Sequence, residues 1–415
     1  MCQIVNPEEI QLSRFAEADS VEKRKAIVSR CLEDVGIQHQ LKVLISTNSL
    51  GCGGQEHQVM MLIPELKKLG LEVEHMYYSP PHILEEKYRD RNIKSVFIDK
   101  NKLGRFKCWK KQIHYIKSNN FDVVHAFGGT ANIYVRGAAV FAGTKLILAT
   151  SRDRTGPKGL PCVLLNSLLN LFTPTWVINS RTNAEGLEKL KFIKNKHLYI
   201  LPNALDLYDN DSLHSLQMDV DLEKWIEKRH ILATAGRICR VKNYDLFLDF
   251  AKQVHRHFPD SCFLIIGGPD CRAEGPIFQE KISNRIKNEN LDSFVKMTGW
   301  IENMVTLYPN IDLFVSTSDF EGCPNVVLEA MRAAKPVVMT NSCDTSCLIK
   351  EGKNGFVVPV GNVDKLVEKI MFLLNSKQTR LDFGKVSRQI VENNFSTPKA
   401  AWLLTKIYIN ELSIR

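Results

Sequence analysis

The sequence, 415 residues long, predicts an α/β protein built from two doubly wound parallel-sheet domains in tandem. Three observations predict it. Short apolar, β-branched runs recur along the chain and alternate with stretches whose apolar residues fall at helical spacing. Several runs end at Gly-rich or polar turns, where a strand hands over to a helix. The rhythm fails over residues 206–228, an acidic stretch poor in β-branched residues, and then resumes.

Taken in order, residues 1–40 read as a helical extension packed outside the main fold. Pro7-Glu8-Glu9 can open one helix, and Val21–Val35 spaces apolar residues through a charged segment. The run LKVLIST (41–47) ends at the turn Gly51-Cys52-Gly53-Gly54. A helix with Val59, Leu62, Ile63, Leu66 and Leu69 on one stripe follows, then LEVEHMYY. Strand, glycine turn, helix, strand is a βαβ unit, which requires a right-handed crossover and a parallel sheet. Runs at 92–98, 122–127, 145–150, 175–180 and 197–202 complete a first domain over 41–205. A second series at 230–237, 262–268, 294–299, 311–317, 335–340 and 355–360 makes a second domain over 206–397. A terminal helix over about 398–415, with Trp402–Ile409, is expected to cross back onto the first domain. Ligands of such sheets bind beyond the carboxyl ends of the strands, so two facing domains are expected to hold them across a cleft.

Composition narrows the class. Apolar residues make up 44% and charged residues 24%, which excludes a largely disordered or collagen-like chain. No apolar run reaches the length of about 18 residues that a membrane span needs. The start, MCQIVNPEEIQLSRF, lacks the basic end and apolar stretch of a secretory leader. Eleven scattered cysteines without a CxxC pair read as reduced thiols of a cytoplasmic protein, not a disulfide framework or zinc ribbon. A net charge of +9 favours anionic partners of any kind. Zinc-finger spacing, an RNP-like sequence and a basic arm are all missing, so no nucleic-acid partner is expected.

Three features collect at strand ends. Arg237 ends the first strand of the second domain and Lys242 lies beside the next helix start. Two such cations can clamp a diphosphate, one through a bidentate guanidinium and one as a point charge, although Arg and Lys are also common on solvated loops. The segment Glu321-Gly322-Cys323-Pro324-Asn325-Val326-Val-Leu-Glu329 puts one acid in a loop and another a turn into a helix opened by Pro324. Amides near Asn325 and Val326 suit an anion and Glu329 suits vicinal ribose hydroxyls, while exposed acids favoured by the helix dipole are the plain alternative. Gly53-Gly54 lets a phosphate approach backbone at a helix start, or simply makes a tight turn.

Arg237…Lys242, EGCPNVVLEAM, NGFVVPVGN and the upstream Gly-Gly turn, in this order, resemble the retaining GT-B glycosyltransferases of family 4. PNALD (202–206) is similar to that family's hinge stretch. The resemblance covers nearly everything from Leu41 onward. It implies two Rossmann-like domains and a metal-independent retaining transfer from a nucleotide-diphosphate sugar, with UDP as the expected nucleotide and no cofactor. By resemblance, Arg237 and Lys242 bind the diphosphate, Glu329 the ribose and Glu321 the donor sugar. Main chain from Gly322 through Cys323, Pro324 and Asn325 to Val326 supports sugar and phosphate, Trp300 meets the base, and Gly54 approaches the phosphates. His125 matches a histidine near the reacting sugars, though a histidine ending a strand is equally a satisfied core residue. The acceptor implied is a glycan or a lipid-linked sugar. Alternatives are an epimerase or inverting enzyme of the same fold, or a non-catalytic sugar-nucleotide binder.

The loop Ser342–Cys347 departs from the family's Gly-Gly and acid, which puts donor identity in question. Asp219-Val220-Asp221 imitates a metal-binding DxD but lies in the acidic break, so it reads as a solvated run. The loop Arg152–Lys158 can bind an acceptor phosphate or be plain charged surface. Two apolar stripes, Phe106/Trp109/Ile113/Ile116 and Leu164/Leu165/Leu168/Leu171, are expected to pack in the core. Peripheral contact with an anionic membrane, on its cytoplasmic face, is the lesser reading for both.

Overall fold

The computed structural model describes residues 3–5, 10, 20–51, 53–152, 160–189, 197–207, 219–227, 229–270, 274–301 and 304–414. The chain divides into two compact units, Met1–Asp206 with Ser396–Arg415, and Leu207–Phe395.

The first unit carries strands β1 (Gln3–Val5), β2 (Lys42–Ser46), β3 (Glu72–Tyr77), β4 (Ser95–Phe97), β5 (Val123–Phe127), β6 (Leu146–Ser151), β7 (Thr175–Ile178) and β8 (His197–Ile200). They pair in the order β1-β8-β7-β6-β5-β2-β3-β4, every pair parallel. Between them run α1 (Val21–Asp34), α2 (Gly54–Lys68), α3 (Glu85–Asp90), α4 (Lys100–Ser118), α5 (Ala131–Ala142), α6 (Leu160–Phe172) and α7 (Arg181–Lys189). Parallel strands are covered on both faces, which is why they read as continuous apolar runs. On β5 the alternation is visible. Val123 and Phe127 join one core with α2, while Val124 and Ala126 join another with α4 and α5.

The second unit carries β9 (His230–Ala235), β10 (Ser261–Ile266), β11 (Val295–Gly299), β12 (Leu313–Ser316), β13 (Val337–Thr340) and β14 (Gly355–Val358) in the order β11-β10-β9-β12-β13-β14. Its helices are α8 (Val220–Ile226), α9 (Tyr244–His257), α10 (Glu274–Asn288), α11 (Met304–Leu307), α12 (Asn325–Arg332), α13 (Val363–Leu374) and α14 (Lys377–Asn394). This is the doubly wound order, and its direction reverses between β9 and β12.

The last helix, α15 (Thr397–Ser413), belongs to the first unit. It buries Leu404, Ile407 and Tyr408 in the core that α2 also lines. Its Glu411, 2% exposed, accepts hydrogen bonds from Thr175 Oγ1 at 2.5 Å and Tyr199 Oη at 2.7 Å, and pairs with His197 Nδ1 at 2.8 Å. That one carboxylate ties α15 to β7 and β8. The hinge-like stretch is held as firmly: Gln58 on α2 bonds both the N–H and the C=O of Ala204, at 2.8 and 2.7 Å.

Two sequence expectations are corrected here. Residues 1–40 are not a helical appendage, since β1 adds a parallel edge strand to β8 and α1 buries Val28, Cys31 and Leu32 in the main core. A three-residue strand has no readable period of its own; the β8 backbone supplies its reason to exist. The proposed helix start at Pro7 lies outside the described residues. The second correction concerns the apolar stripes. On α4, Ile116 is buried but Phe106 is 64% exposed, and α6 turns Leu164, Leu165, Leu168 and Leu171 outward. On α4 the helix breaks at Gly104, whose φ of 73° only glycine adopts freely, so the stripe is not continuous.

Candidate functional site

In a doubly wound sheet the crevice opens where the strand order reverses, beyond the carboxyl ends of the two strands concerned. In the second unit those strands are β9 and β12. Arg237 follows β9, and Lys242 closes the short 3-10 turn Arg240–Lys242 before α9. The loop with Glu321 follows β12 and leads into α12. Lys242 Nζ meets Glu321 Oε1 at 2.6 Å, with both side chains less than a fifth exposed. Two residues 79 apart in sequence therefore close the switch point.

The turn is built for that meeting. Gly236 has φ 146°, and a Cβ there would stand 2.8 Å from Lys242 Cε and 3.0 Å from Nζ. Lys242 thus lies across a residue that must lack a side chain, next to Arg237. Tyr244 Oη donates to the carbonyls of Gly236 and Arg237, and Asn243 Nδ2 donates to Asp319 at 2.7 Å. From the other side Ser318 Oγ donates to Glu321 Oε1 at 2.8 Å, and the Glu321 N–H donates to the Ser342 carbonyl at 2.7 Å.

Arg237 points to a partner that sequence reasoning missed. Its Nη1 donates to Asp270 Oδ2 at 2.8 Å; the arginine side chain is 63% exposed and the aspartate 2%. A buried carboxylate anchors one corner of an exposed guanidinium fork and leaves the rest of it open. The signal was present in Gly267-Gly268-Pro269-Asp270, a turn at the end of an apolar run.

Glu329, one turn into α12, accepts a hydrogen bond from Tyr308 Oη at 2.9 Å on Oε2. Burial holds its carboxyl above the ordinary range, against the lowering pull of Tyr308 and Arg332. Tyr308 is a second group the sequence did not reveal, because it comes from a 3-10 turn between α11 and β12. Pro324 caps α12 without a side-chain bond to the first turn, where Asn325 and Val326 stand. Gly322 and Cys323 sit half-exposed in the loop between Glu321 and Pro324, and Trp300, just past β11, is 68% exposed.

The loop of the family departure is ordered by its own bonds. Ser346 Oγ donates to Asp344 Oδ1 at 2.6 Å and Cys347 Sγ to the Asp344 carbonyl at 3.1 Å.

His125 requires a correction. It is 0% exposed, with Nδ1 against Tyr408 Oη at 2.8 Å and Nε2 against Thr150 Oγ1 at 2.6 Å. Burial, helped by Arg152, lowers its pKa to about 3, so the ring stays neutral. The alternation along β5 points it at α15 instead of beyond the strand end, so it is a satisfied core residue. Gly54 is the first residue of α2 and is exposed. Asp219 is the N-cap of α8 and accepts from the Leu222 N–H at 2.9 Å, which accounts for half of the DxD look-alike. Arg152 donates to Asn203 Oδ1 at 2.6 Å, and the rest of the predicted phosphate loop, 153–158, lies outside the described residues.

Comparison with known proteins decides the class. The family model of glycosyl transferases group 1 matches residues 221–390, which contain Arg237, Lys242, Asp270, Tyr308, Glu321 and Glu329. The protein is a glycosyltransferase. Among curated relatives of this glycosyltransferase is the Escherichia coli UDP-Gal:alpha-D-GlcNAc-diphosphoundecaprenol alpha-1,3-galactosyltransferase, 23% identical over 334 residues, 77% of this chain and 81% of that one. The poly(ribitol-phosphate) alpha-N-acetylglucosaminyltransferase of Staphylococcus aureus (strain COL) is 26% identical over 47% of this chain and 39% of its own length. With several other relatives, too, the match spans about half of their length. Among solved structures, Anabaena Alr3699/HepE in complex with UDP and glucose has a TM-score of 0.76 at 16% identity, covering 89% of this chain and 99% of that one. The glycosyltransferase thus has the GT-B pair of Rossmann-like domains. No helix among the described residues is long and apolar enough to cross a membrane.

Proposed function

We propose that this glycosyltransferase takes a sugar from a UDP-linked donor, retains its anomeric configuration, needs no metal, and passes it to a glycan or lipid-linked acceptor in the cytoplasm. The observation that carries the proposal is the Lys242–Glu321 contact at the switch point, beside the half-free guanidinium of Arg237. Breaking a sugar–phosphate bond leaves negative charge on the diphosphate. Two fixed cations stabilise that charge as it develops. Lys242 has three donors and can keep Glu321 while reaching a phosphate oxygen; Arg237 can keep Asp270 and present the rest of its fork.

The remaining roles follow from position. Glu321 has Oε1 committed to Lys242 and Ser318, so Oε2 is the atom offered to the donor sugar. Glu329 has Oε2 committed to Tyr308, and no donor among the described residues meets Oε1, which suits a ribose hydroxyl. The first-turn amides at Asn325 and Val326, with Gly322, Cys323 and Pro324 leading to them, face the anionic end. Trp300 is the base-side candidate, and Gly54 offers an anion bare backbone at the start of α2. Retention is what the resemblance to the retaining family-4 enzymes implies, and the alpha linkages in the names of two relatives agree with it. Two relatives support donor and acceptor class by their names: one uses UDP-Gal on a diphosphoundecaprenol-linked sugar, and one solved structure holds UDP and glucose.

The test is UDP release from a panel of UDP-sugars, with polyprenyl-diphosphate-linked sugars and free glycans as acceptors, followed by NMR of the product. An α-linked product from an α-linked donor is expected. A β product would overturn retention, and turnover only with non-uridine donors would overturn the nucleotide assignment.

A further inference from the structure

Helix α6 is inside out. Its polar residues Asn166 and Asn170 are 1% and 3% exposed, whereas Leu164, Leu165, Leu168, Leu171 and Phe172 are 61, 44, 54, 71 and 56% exposed. The cause is Arg136 on α5, which is fully buried with no carboxylate bonded to it among the described residues. Its Nη2 donates to Asn170 Oδ1 at 2.8 Å, its Nη1 to Asn166 Oδ1 at 3.3 Å and its Nε to Thr173 Oγ1 at 2.9 Å, and its guanidinium lies 5.0 Å from the Trp176 ring centre. A buried guanidinium needs acceptors on every side. Supplying them from α6 turns Leu164, Leu165, Leu168 and Leu171 away from the core, while Leu169 stays buried.

The neighbouring helices carry exposed aromatic residues as well. Phe141 on α5 is 69% exposed and meets Trp109 of α4 edge-on at 5.0 Å, and Phe106 on α4 is 64% exposed. Helices α4, α5 and α6 contain no Asp or Glu. Exposed Lys102, Arg105, Lys107, Lys110 and Lys111 on α4 make no ion pair with any described carboxylate, and Lys110 lies 4.6 Å from the Phe106 ring centre. Isolated surface leucines need no explanation, but a row of them along one helix, in a group of three helices that also bears exposed aromatics and cations without ion pairs, does.

We propose that the α4–α6 face docks on an anionic lipid surface, with the α6 leucines and Phe106 and Phe141 entering the headgroup boundary and the α4 cations meeting lipid phosphates. The charge decides the occupant. A second copy of this face would bring like charges together, whereas an anionic bilayer neutralises them and takes up the apolar ridge at once. A chain with no spanning helix among its described residues would reach membrane-bound molecules this way. The inference stands apart from the proposed transfer reaction, because lipid binding is read with neither donor nor acceptor present.

The experiment is co-sedimentation of the full chain with phosphatidylcholine vesicles, with and without phosphatidylglycerol, over a salt series. The expected result is binding to the phosphatidylglycerol vesicles that weakens as salt rises, with far less on phosphatidylcholine alone. Leu164→Ser/Leu168→Ser/Leu171→Ser should weaken it at least about tenfold, and Lys107→Glu/Lys110→Glu/Lys111→Glu by a similar factor, both with unchanged melting, since these side chains are already in water. No binding to the anionic vesicles at low salt would overturn the proposal. So would unaltered binding by the leucine variant, or a concentration-dependent dimer in sedimentation velocity that the same leucine variant abolishes.

Discussion

Replacing Lys242 by alanine isolates one charge at the switch point. An ammonium about 4 Å from a phosphate oxygen, at the effective dielectric of roughly 20 suited to protein sites, is worth about 4 kcal/mol. Loss of one preorganised donor to a developing anion costs about 2.7–4 kcal/mol by mutagenesis elsewhere, or roughly 10²–10³ in kcat. The Lys242 side chain is 18% exposed, so some screening by water remains and the lower end applies. The assay is UDP release at saturating donor, so that weakened binding does not masquerade as slowed chemistry. Urea melts run alongside, since Glu321 would keep only the Ser318 hydroxyl, at a cost of about 1 kcal/mol for a partly wet carboxylate. Gly236→Ala tests the same charge by geometry, because its Cβ would stand 2.8 Å from Lys242 Cε and push the ammonium off its seat. It should lower kcat about tenfold, equivalent to about 1.4 kcal/mol. A Lys242→Ala enzyme whose kcat stays within about threefold of the parent would refute the clamp, whatever its stability.

Two further predictions concern the first unit. Glu411→Ala strands the buried Thr175 and Tyr199 donors, frees the half-exposed His197, and should lower unfolding free energy by about 3 kcal/mol, with Glu411→Gln costing less; the shift in urea midpoint measures it. Buried His75 and His125 both have pKa values lowered to about 3, by loss of solvent above all. The unfolded chain therefore takes up their protons first as pH falls, and stability drops between about pH 6.5 and pH 3. From pH 7 to pH 5 the two together should cost roughly 4 kcal/mol. Replacing His125 by a neutral isostere such as Asn should remove about half of that slope, and an unchanged slope would show that the ring is already charged or solvated in the fold.

The sequence by itself determined the series of strands and helices from Leu41 onward, because a parallel strand buried on both faces must be a continuous apolar run. It also marked Lys242, Glu321 and Glu329, since each lies in a short motif at a strand end. What only the tertiary structure decided is how those ends meet. Arg237 finds Asp270, Lys242 finds Glu321, and Glu329 finds Tyr308, each across a separation that carries no local periodicity. His125 became a core residue because α15 returned from the far end of the chain to cover its side of β5. Leu164, Leu165, Leu168 and Leu171 of α6 face water because one buried arginine claimed the opposite side of that helix. Apolar periodicity tells which residues share a helix face. Which face is turned inward depends on the partners waiting there, and those are brought together only by the folded chain.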